Sequence, residues 1–169
     1  MYQYAAQWME QQQLQSIIDL GCGSGYKTVH YLGQYQTTGV EVDPTYSWLT
    51  KTYPDKKWLL FDNLKPSELS CDLIVCSDVI EHIEHPDDLL DFVAEMNFKQ
   101  VIFSTPDRDR LCGTKDFGPP ENTCHYREWN HIEFKNYLRG WFDIIDTQLI
   151  NDKSNTQLVI CQKHKKTNT

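Results

Sequence analysis

Residues 16–26, SIIDLGCGSGY, constrain this chain more than any other stretch. Ile17, Ile18 and Leu20 form an apolar run interrupted only by Asp19. A run of that length reads as a strand buried on both faces. Gly21, Gly23 and Gly25 follow at alternate positions. Glycine reaches backbone conformations closed to other residues, so this spacing reads as a tight turn where main chain approaches a ligand. From Tyr26 the chain can enter a helix, whose first amides favour an anion. A strand, a glycine turn and a helix, with a nucleotide-like ligand over the turn, form the unit around which the remainder is read.

The other periodicities supply alternating helices and strands. A helix over 2–14 carries Ala5, Trp8 and Met9 on one side. The helix after the glycine turn runs to about residue 34, and strands follow at 38–42 and 57–61. Between those strands Asp43 reads as an N-cap with Pro44 at the first helical position. Residues 63–70 are a loop or short helical turn, and 72–77 a fourth strand. Leu89, Phe92, Val93 and Met96 mark an amphipathic helix over 86–96. A fifth strand at 100–104 leads into a long loop, 105–127, and loops of that length in compact domains are functional or disordered. Asn130 and Glu133 make a capping box for a helix bearing Phe134, Tyr137 and Leu138. Strands at 142–149 and 157–161, joined by a polar turn at 151–155, close the chain as a hairpin. Such alternation predicts a mostly parallel sheet covered by helices on both faces, with one antiparallel strand.

Composition narrows the partners. The 169 residues suggest one domain, with a net charge of −8 and no clustered bases before Lys163. An acidic chain is poorly suited to clamping a phosphate backbone, so nucleic acid is not the expected partner. No apolar stretch approaches the roughly 20 residues of a membrane span. The polar N-terminus lacks the pattern of a signal peptide, and a cytoplasmic location is expected. The six cysteines include no C-x-x-C pair and read as buried free thiols. Cys112, Cys124, His125 and His131 match no standard zinc spacing.

Three acids close three predicted strands: Asp19, Glu41 and Asp62. Glu41 lies about 20 residues past the glycine turn, where a carboxylate meets a ribose diol in dinucleotide-binding folds. All three fall on the carboxyl edge of the sheet, where open α/β sheets bind ligands. The turn reads G-x-G-x-G and lacks the spacing of a P-loop, despite Lys27-Thr28.

IDLGCGSG, GVEVDP, LLFDN and CDLIVCSDVIEHIEHP together resemble the successive motifs of class I S-adenosylmethionine-dependent methyltransferases. The resemblance runs from residue 16 to 161. It implies a Rossmann-like three-layer α/β/α sandwich with a seven-stranded sheet in the order 3-2-1-4-5-7-6, the last strand antiparallel. The whole chain would be one such domain: an N-terminal helix in 1–15, a core over 16–162 and a polar tail from 163. Cofactor contacts are implied for Asp19, Gly21, Cys22, Gly23, Gly25, Glu41, Val42, Asp62, Asn63, Ser77 and Asp78. In that scheme the glycines admit the methionine part, Asp19 orients the turn or meets the amino group, Glu41 takes the ribose hydroxyls and Asp62 the adenine amine.

Two stretches bear on the acceptor. Asp78, Glu81 and His82 follow strand four, with Asp78 and Glu81 one helical turn apart. They either shape the cofactor pocket or, with His125, act as bases or hold a divalent metal, for which carboxylate and imidazole are suited. The string is similar to the acid–histidine set of metal-assisted methyltransferases of small RNAs and quinones, which have Glu where this chain has Asp78. The loop over 104–129 is similar to one in methyltransferases associated with glycan-modifying enzymes. His125 is the expected general base there, with Glu81 and His82 also catalytic and no metal required. Arg108, Arg110 and Arg127 either grip an anionic acceptor group or brace the loop. The absence of an Asn/Asp-Pro-Pro-aromatic sequence after strand four argues against amino methylation of a nucleobase. The expected reaction is methyl transfer to a hydroxyl, or an amine, of a small molecule or glycan. Strand one begins at residue 16, so the acceptor site is expected to be open, serving a large acceptor or a homodimer whose partner lends a lid. A subunit that binds the cofactor without catalysis is the alternative of a different class.

Overall fold

A computed structural model of the chain describes residues 1–150 and 155–165. Seven strands form one sheet in the order β3-β2-β1-β4-β5-β7-β6. These are β1 (Ser16–Leu20), β2 (Gln36–Glu41), β3 (Lys57–Leu60), β4 (Ser70–Ser77), β5 (Asn97–Pro106), β6 (Phe142–Leu149) and β7 (Thr156–Lys163). The first five run parallel, and β7 is antiparallel to both of its neighbours. The chain winds one way from β1 to β3 and the other way from β4, so a crevice opens beyond the carboxyl ends of β1 and β4.

Alternation along the buried strands feeds two cores. Ile18, Ile74, Cys76, Val101, Phe103 and Val159 face one side, under α4 (Pro86–Glu95) and α6 (His131–Leu138), the short α5 (Arg108–Leu111) lying between these two in the chain. Ile17, Leu73, Val75, Ile102, Leu158 and Ile160 face the other, under α1 (Tyr2–Gln11) and α2 (Tyr26–Leu32). Successive strand residues point to opposite faces, so strands apolar at every position need cover on both sides. A third cluster packs Leu49 of α3 (Thr45–Thr52) against Cys22 and Trp58 beneath the glycine turn.

The boundaries depart from the sequence reading at several points. Strands β4, β5 and β7 extend beyond the predicted apolar runs, because their polar ends still pair with neighbours: Ser70 with Asn97, and Pro106 with Thr156. Helix α1 stops at Gln11 rather than 14. Asp43 lies one residue before the N-cap of α3, yet its Oδ1 still accepts from Ser47 N at 3.0 Å and Ser47 Oγ at 2.7 Å. The capping box at Asn130–Glu133 is present as predicted. Cys22, Cys71, Cys76 and Cys161 are buried free thiols, whereas Cys112 and Cys124 are exposed. The predicted turn at 151–155 and the end of the polar tail lie largely outside the described residues. No helix among the described residues is long and apolar enough to cross a membrane.

Candidate active site

A cavity of about 420 Å³ sits at the crevice, lined by the ends of β1 and β2, the glycine turn and the segment after β4. Gly21 takes φ +76°, and a Cβ there would lie 2.5 Å from Val79 Cγ2. At Gly23, φ +55°, a Cβ would meet nothing within 4 Å, so that peptide faces open space. Gly23 N donates to Glu41 Oε1 at 2.8 Å, and Val42 N donates to Glu41 Oε2 at 2.8 Å. Both carboxylate oxygens are thereby fixed beside the turn, on the cavity wall with Val42.

Asp19 is fully buried below the turn and does not line the cavity. It accepts from the Tyr2 hydroxyl at 3.1 Å and from Thr28 Oγ1, tying α1 and α2 to the end of β1. Burial pushes its pKa up to about 7, against the lowering effect of those two hydrogen bonds. Cys22 is likewise under the turn: its thiol is buried among Leu49 and Trp58, and its amide donates to Val40 O. Gly25 caps α2 in the left-handed conformation. Asp62 and Asn63 are exposed on the helical turn after β3, beside the cavity-lining Phe61. Ser77 is buried and receives a hydrogen bond from Ser104 Oγ. Of the eleven cofactor positions expected from sequence, the cavity wall thus holds Gly21, Gly23, Glu41, Val42 and Asp78. The apolar wall formed by Phe61, Val79, Ile83 and Leu89 was not expected. Phe61 was legible as the residue between β3 and Asp62; the other three carry no local signal.

Beyond β4 the chain turns sharply. Asp78 has φ +55°, which a short polar side chain tolerates better than most. Its amide and Oδ1 are both held by Ser104, through Ser104 O at 2.9 Å and Ser104 Oγ at 3.1 Å. Glu81 follows, 1% exposed, with Oε2 buried and without a hydrogen-bond partner. Burial raises its pKa to about 8, with the Asp78 charge adding to the rise.

The long loop returns to this segment. Its ends meet where Arg108 N donates to Trp129 O, so the loop closes on itself, the geometry of a compact surface loop. Tyr126 N donates to Glu81 O at 2.8 Å, and Arg127 Nη2 donates to Glu84 O at 2.8 Å. His82 Nδ1 lies 2.9 Å from Cys124 O. A carbonyl only accepts, so Nδ1 carries the proton and Nε2 keeps its lone pair. The His82 and His125 rings meet edge-on, with centroids 4.6 Å apart. His125 Nδ1 pairs with Glu128 Oε1 at 2.6 Å, and its Nε2 faces Asn122 Nδ2 at 2.9 Å. Asn122 Oδ1 accepts from Cys124 N, so the amide nitrogen is the group presented to His125.

Glu81, His82 and His125 therefore come together, each offering a donor atom within 4.8 Å of the others. This group, and not one containing Cys112 or His131, is the metal-capable cluster among the described residues; His131 Nε2 is 3.2 Å from Thr147 Oγ1. The arginines brace the loop. Arg108 is buried and reaches Glu128 O and Glu133 Oε1, and Arg110 reaches Ile150 O. Glu128 and Asn122, which set the state of His125, were not singled out from sequence. The carboxylate three residues after the imidazole was the available signal for Glu128.

Over residues 2–151 the chain matches the sequence family described as a methyltransferase domain. Among curated proteins none matches it. Similar solved structures include the methyltransferase domain of bacterial CtHen1, at 21% identity and TM-score 0.70, covering 95% of this chain and 96% of that one. The small RNA methyltransferase HEN1 is similar at 19% identity and TM-score 0.71, covering 97% of this chain and 25% of that one. The N-methyltransferase NodS from Bradyrhizobium japonicum WM9, solved with S-adenosyl-L-homocysteine, is similar at 13% identity and TM-score 0.71, covering 96% and 86%. At such identities the likeness is one of fold.

Proposed function

The chain belongs to the methyltransferase-domain family and is an S-adenosylmethionine-dependent enzyme; on that premise we propose that it methylates a hydroxyl of a small-molecule or sugar acceptor, with His82 taking the proton. One observation carries this reading. His82 lines the cavity, and its Nδ1 bond to Cys124 O leaves Nε2 as a free base. Imidazole suits this task because its ordinary pKa lies near neutrality. The same criterion moves the role away from His125, whose Nε2 is occupied by the Asn122 amide.

In this reading Glu41 receives the ribose hydroxyls, the glycine turn faces the methionine end, and Phe61, Val79, Ile83 and Leu89 enclose the adenosine. Asp62 and Asn63 stand at the rim. Asp19, Cys22, Gly25 and Ser77 hold these parts in place. The acceptor oxygen attacks the methyl carbon as the carbon–sulfur bond breaks. The sulfur leaves as a neutral thioether, and the hydroxyl proton passes to His82 Nε2. Alignment and exclusion of water are the chain's main contributions to such a displacement. We read residues 1–169 as one domain acting in the reducing cytoplasm, in keeping with six free cysteines. A labelled-cofactor assay against sugars, phenols and amines tests the reaction; label appearing on amines alone would overturn it.

Glu81 supports a second reading. A buried carboxylate oxygen without a partner beside two imidazoles, each with its other nitrogen engaged, is a donor set that fits a divalent cation. Glu81, His82 and His125 would hold it, with Asn122 displaced from His125. A cation bound there would lower the pKa of an acceptor hydroxyl. An RNA acceptor, as in the small RNA methyltransferase of like fold, belongs with this reading. Turnover that stops on chelation and returns with Mn²⁺ would favour it over the metal-free route.

A further inference from the structure

Beyond the histidines the long loop encloses a second, smaller pocket of about 180 Å³. We propose that this pocket is the acceptor subsite and that it takes a neutral sugar ring, stacked on Phe117 and Tyr126, whose hydroxyl reaches His82. The inference rests on the hydroxyl-transfer reading above and adds where the acceptor sits and what recognises it.

Position is the first argument. His82 lines the cofactor cavity, its ring meets His125, His125 pairs with Glu128, and Glu128 lines the loop pocket. The buried His125–Glu128 pair is therefore the partition between the two spaces, with His82 on its cofactor side. An acceptor anchored in the loop pocket can present a hydroxyl toward the methyl donor.

The walls indicate the class. Phe117 is 83% exposed and Tyr126 57% exposed, and both border this pocket. One exposed aromatic needs no explanation, but two flanking one pocket form a stacking surface for a flat or ring-shaped ligand. The polar wall carries both signs, Asp116 and Glu128 beside Arg127. Hydroxyls donate and accept, and match such a wall. A polyanion does not: Arg108 is already paired with Glu133, and acids outnumber bases between residues 107 and 133. The volume falls below the roughly 300–1,000 Å³ of drug-sized sites, on the scale of one ring. Pro119 and Pro120 restrict the backbone under the pocket, so little order must be created on binding.

Saturation-transfer NMR on the full chain with S-adenosylhomocysteine tests this. The probes are methyl glucoside, galactoside, mannoside and rhamnoside at millimolar concentration, and a short uridine oligonucleotide. At least one glycoside should receive saturation at its ring protons. Phe117→Ala and Tyr126→Ala should each weaken it about tenfold, the effect of one lost aromatic contact, and leave S-adenosylhomocysteine affinity unchanged. Silence from all four glycosides, or glycoside binding indifferent to both substitutions, overturns the proposal. So does oligonucleotide binding abolished by Phe117→Ala, which assigns the pocket to a base. His82→Ala separates the two levels. If it retains both glycoside binding and methyl transfer, the reaction assignment fails and the subsite stands. If another hydroxyl acceptor is methylated through His82 while glycosides do not bind, the subsite fails alone.

Discussion

At the glycine turn the polar groups answer one another: Gly23 N meets Glu41, Glu41 meets Val42 N, and Asp19 below receives Tyr2 and Thr28. At the segment after β4, Glu81 Oε2 is buried with no partner among the described residues, and His82 Nδ1 is taken by Cys124 O, which leaves the lone pair on Nε2. The first region is finished before any ligand arrives, and its shape is set by backbone. The second is held in place by the long loop but leaves reactive atoms free. A cofactor common to many reactions can be met by a fixed cradle, whereas the acceptor must be met by side chains that do chemistry.

The largest expected effect lies on the unfinished side. His82→Ala should lower kcat by about 10²–10⁴, the usual worth of a general base, with S-adenosylhomocysteine affinity unaltered in calorimetry. His125→Ala should cost less in the metal-free route, because His125 props its neighbour and does not take the proton. Equal losses from the two, together with sensitivity to chelation, would transfer both residues to the metal reading.

The finished side should respond in stability. Asp19 has its folded pKa near 7, above its ordinary carboxylate value, through burial. The folded chain therefore holds a proton that the unfolded chain has already lost between pH 4 and 7. Stability from this group is complete below that window and falls as pH rises through it, by up to about 4 kcal/mol. Asp19→Asn removes the slope, so thermal unfolding at pH 5 and pH 8 should show a smaller drop in Tm for the variant. Parallel Tm curves would mean that Asp19 stays ionised throughout.

Gly21→Ala should follow, at about 2–4 kcal/mol of stability, since it adds left-handed strain to a Cβ lying 2.5 Å from Val79. Glu41→Ala should weaken S-adenosylhomocysteine by about 1–3 kcal/mol, the worth of hydrogen bonds to a charged group. Calorimetry reads both, and loss of binding from Asp62→Ala but not from Glu41→Ala would reverse the assignment of the ribose.

The difference between the regions also explains what could be read without coordinates. The alternation of strands and helices, the glycine turn and Glu41 follow from local pattern, because each motif is contiguous and its backbone makes the site, while the strand order came with the family resemblance. Asp78, Glu81 and His82 were visible for the same reason. The Asn122 amide on His125 was not, since it depends on how a 22-residue excursion from 108 to 129 folds back. Nor were Val79, Ile83 and Leu89, whose apolar character is shared with ordinary core residues. For the arginines sequence left anion grip and loop brace both open, because charge is legible there while Arg108's partners Glu128 and Glu133 lie 20 and 25 residues away.

The smallest effect sharpens the comparison most. Asn130 caps α6, and Glu133 both completes the capping box and holds Arg108 at 2.9 Å. That pair ties the base of the long loop to α6. Asn130→Ala should cost about 1 kcal/mol of stability and loosen the loop without touching the cavity. Acceptor KM should rise while cofactor affinity and the Asp19-dependent pH slope stay unchanged. A matching fall in cofactor affinity would mean that the two regions are mechanically one, and that the cradle is finished only when the loop is docked.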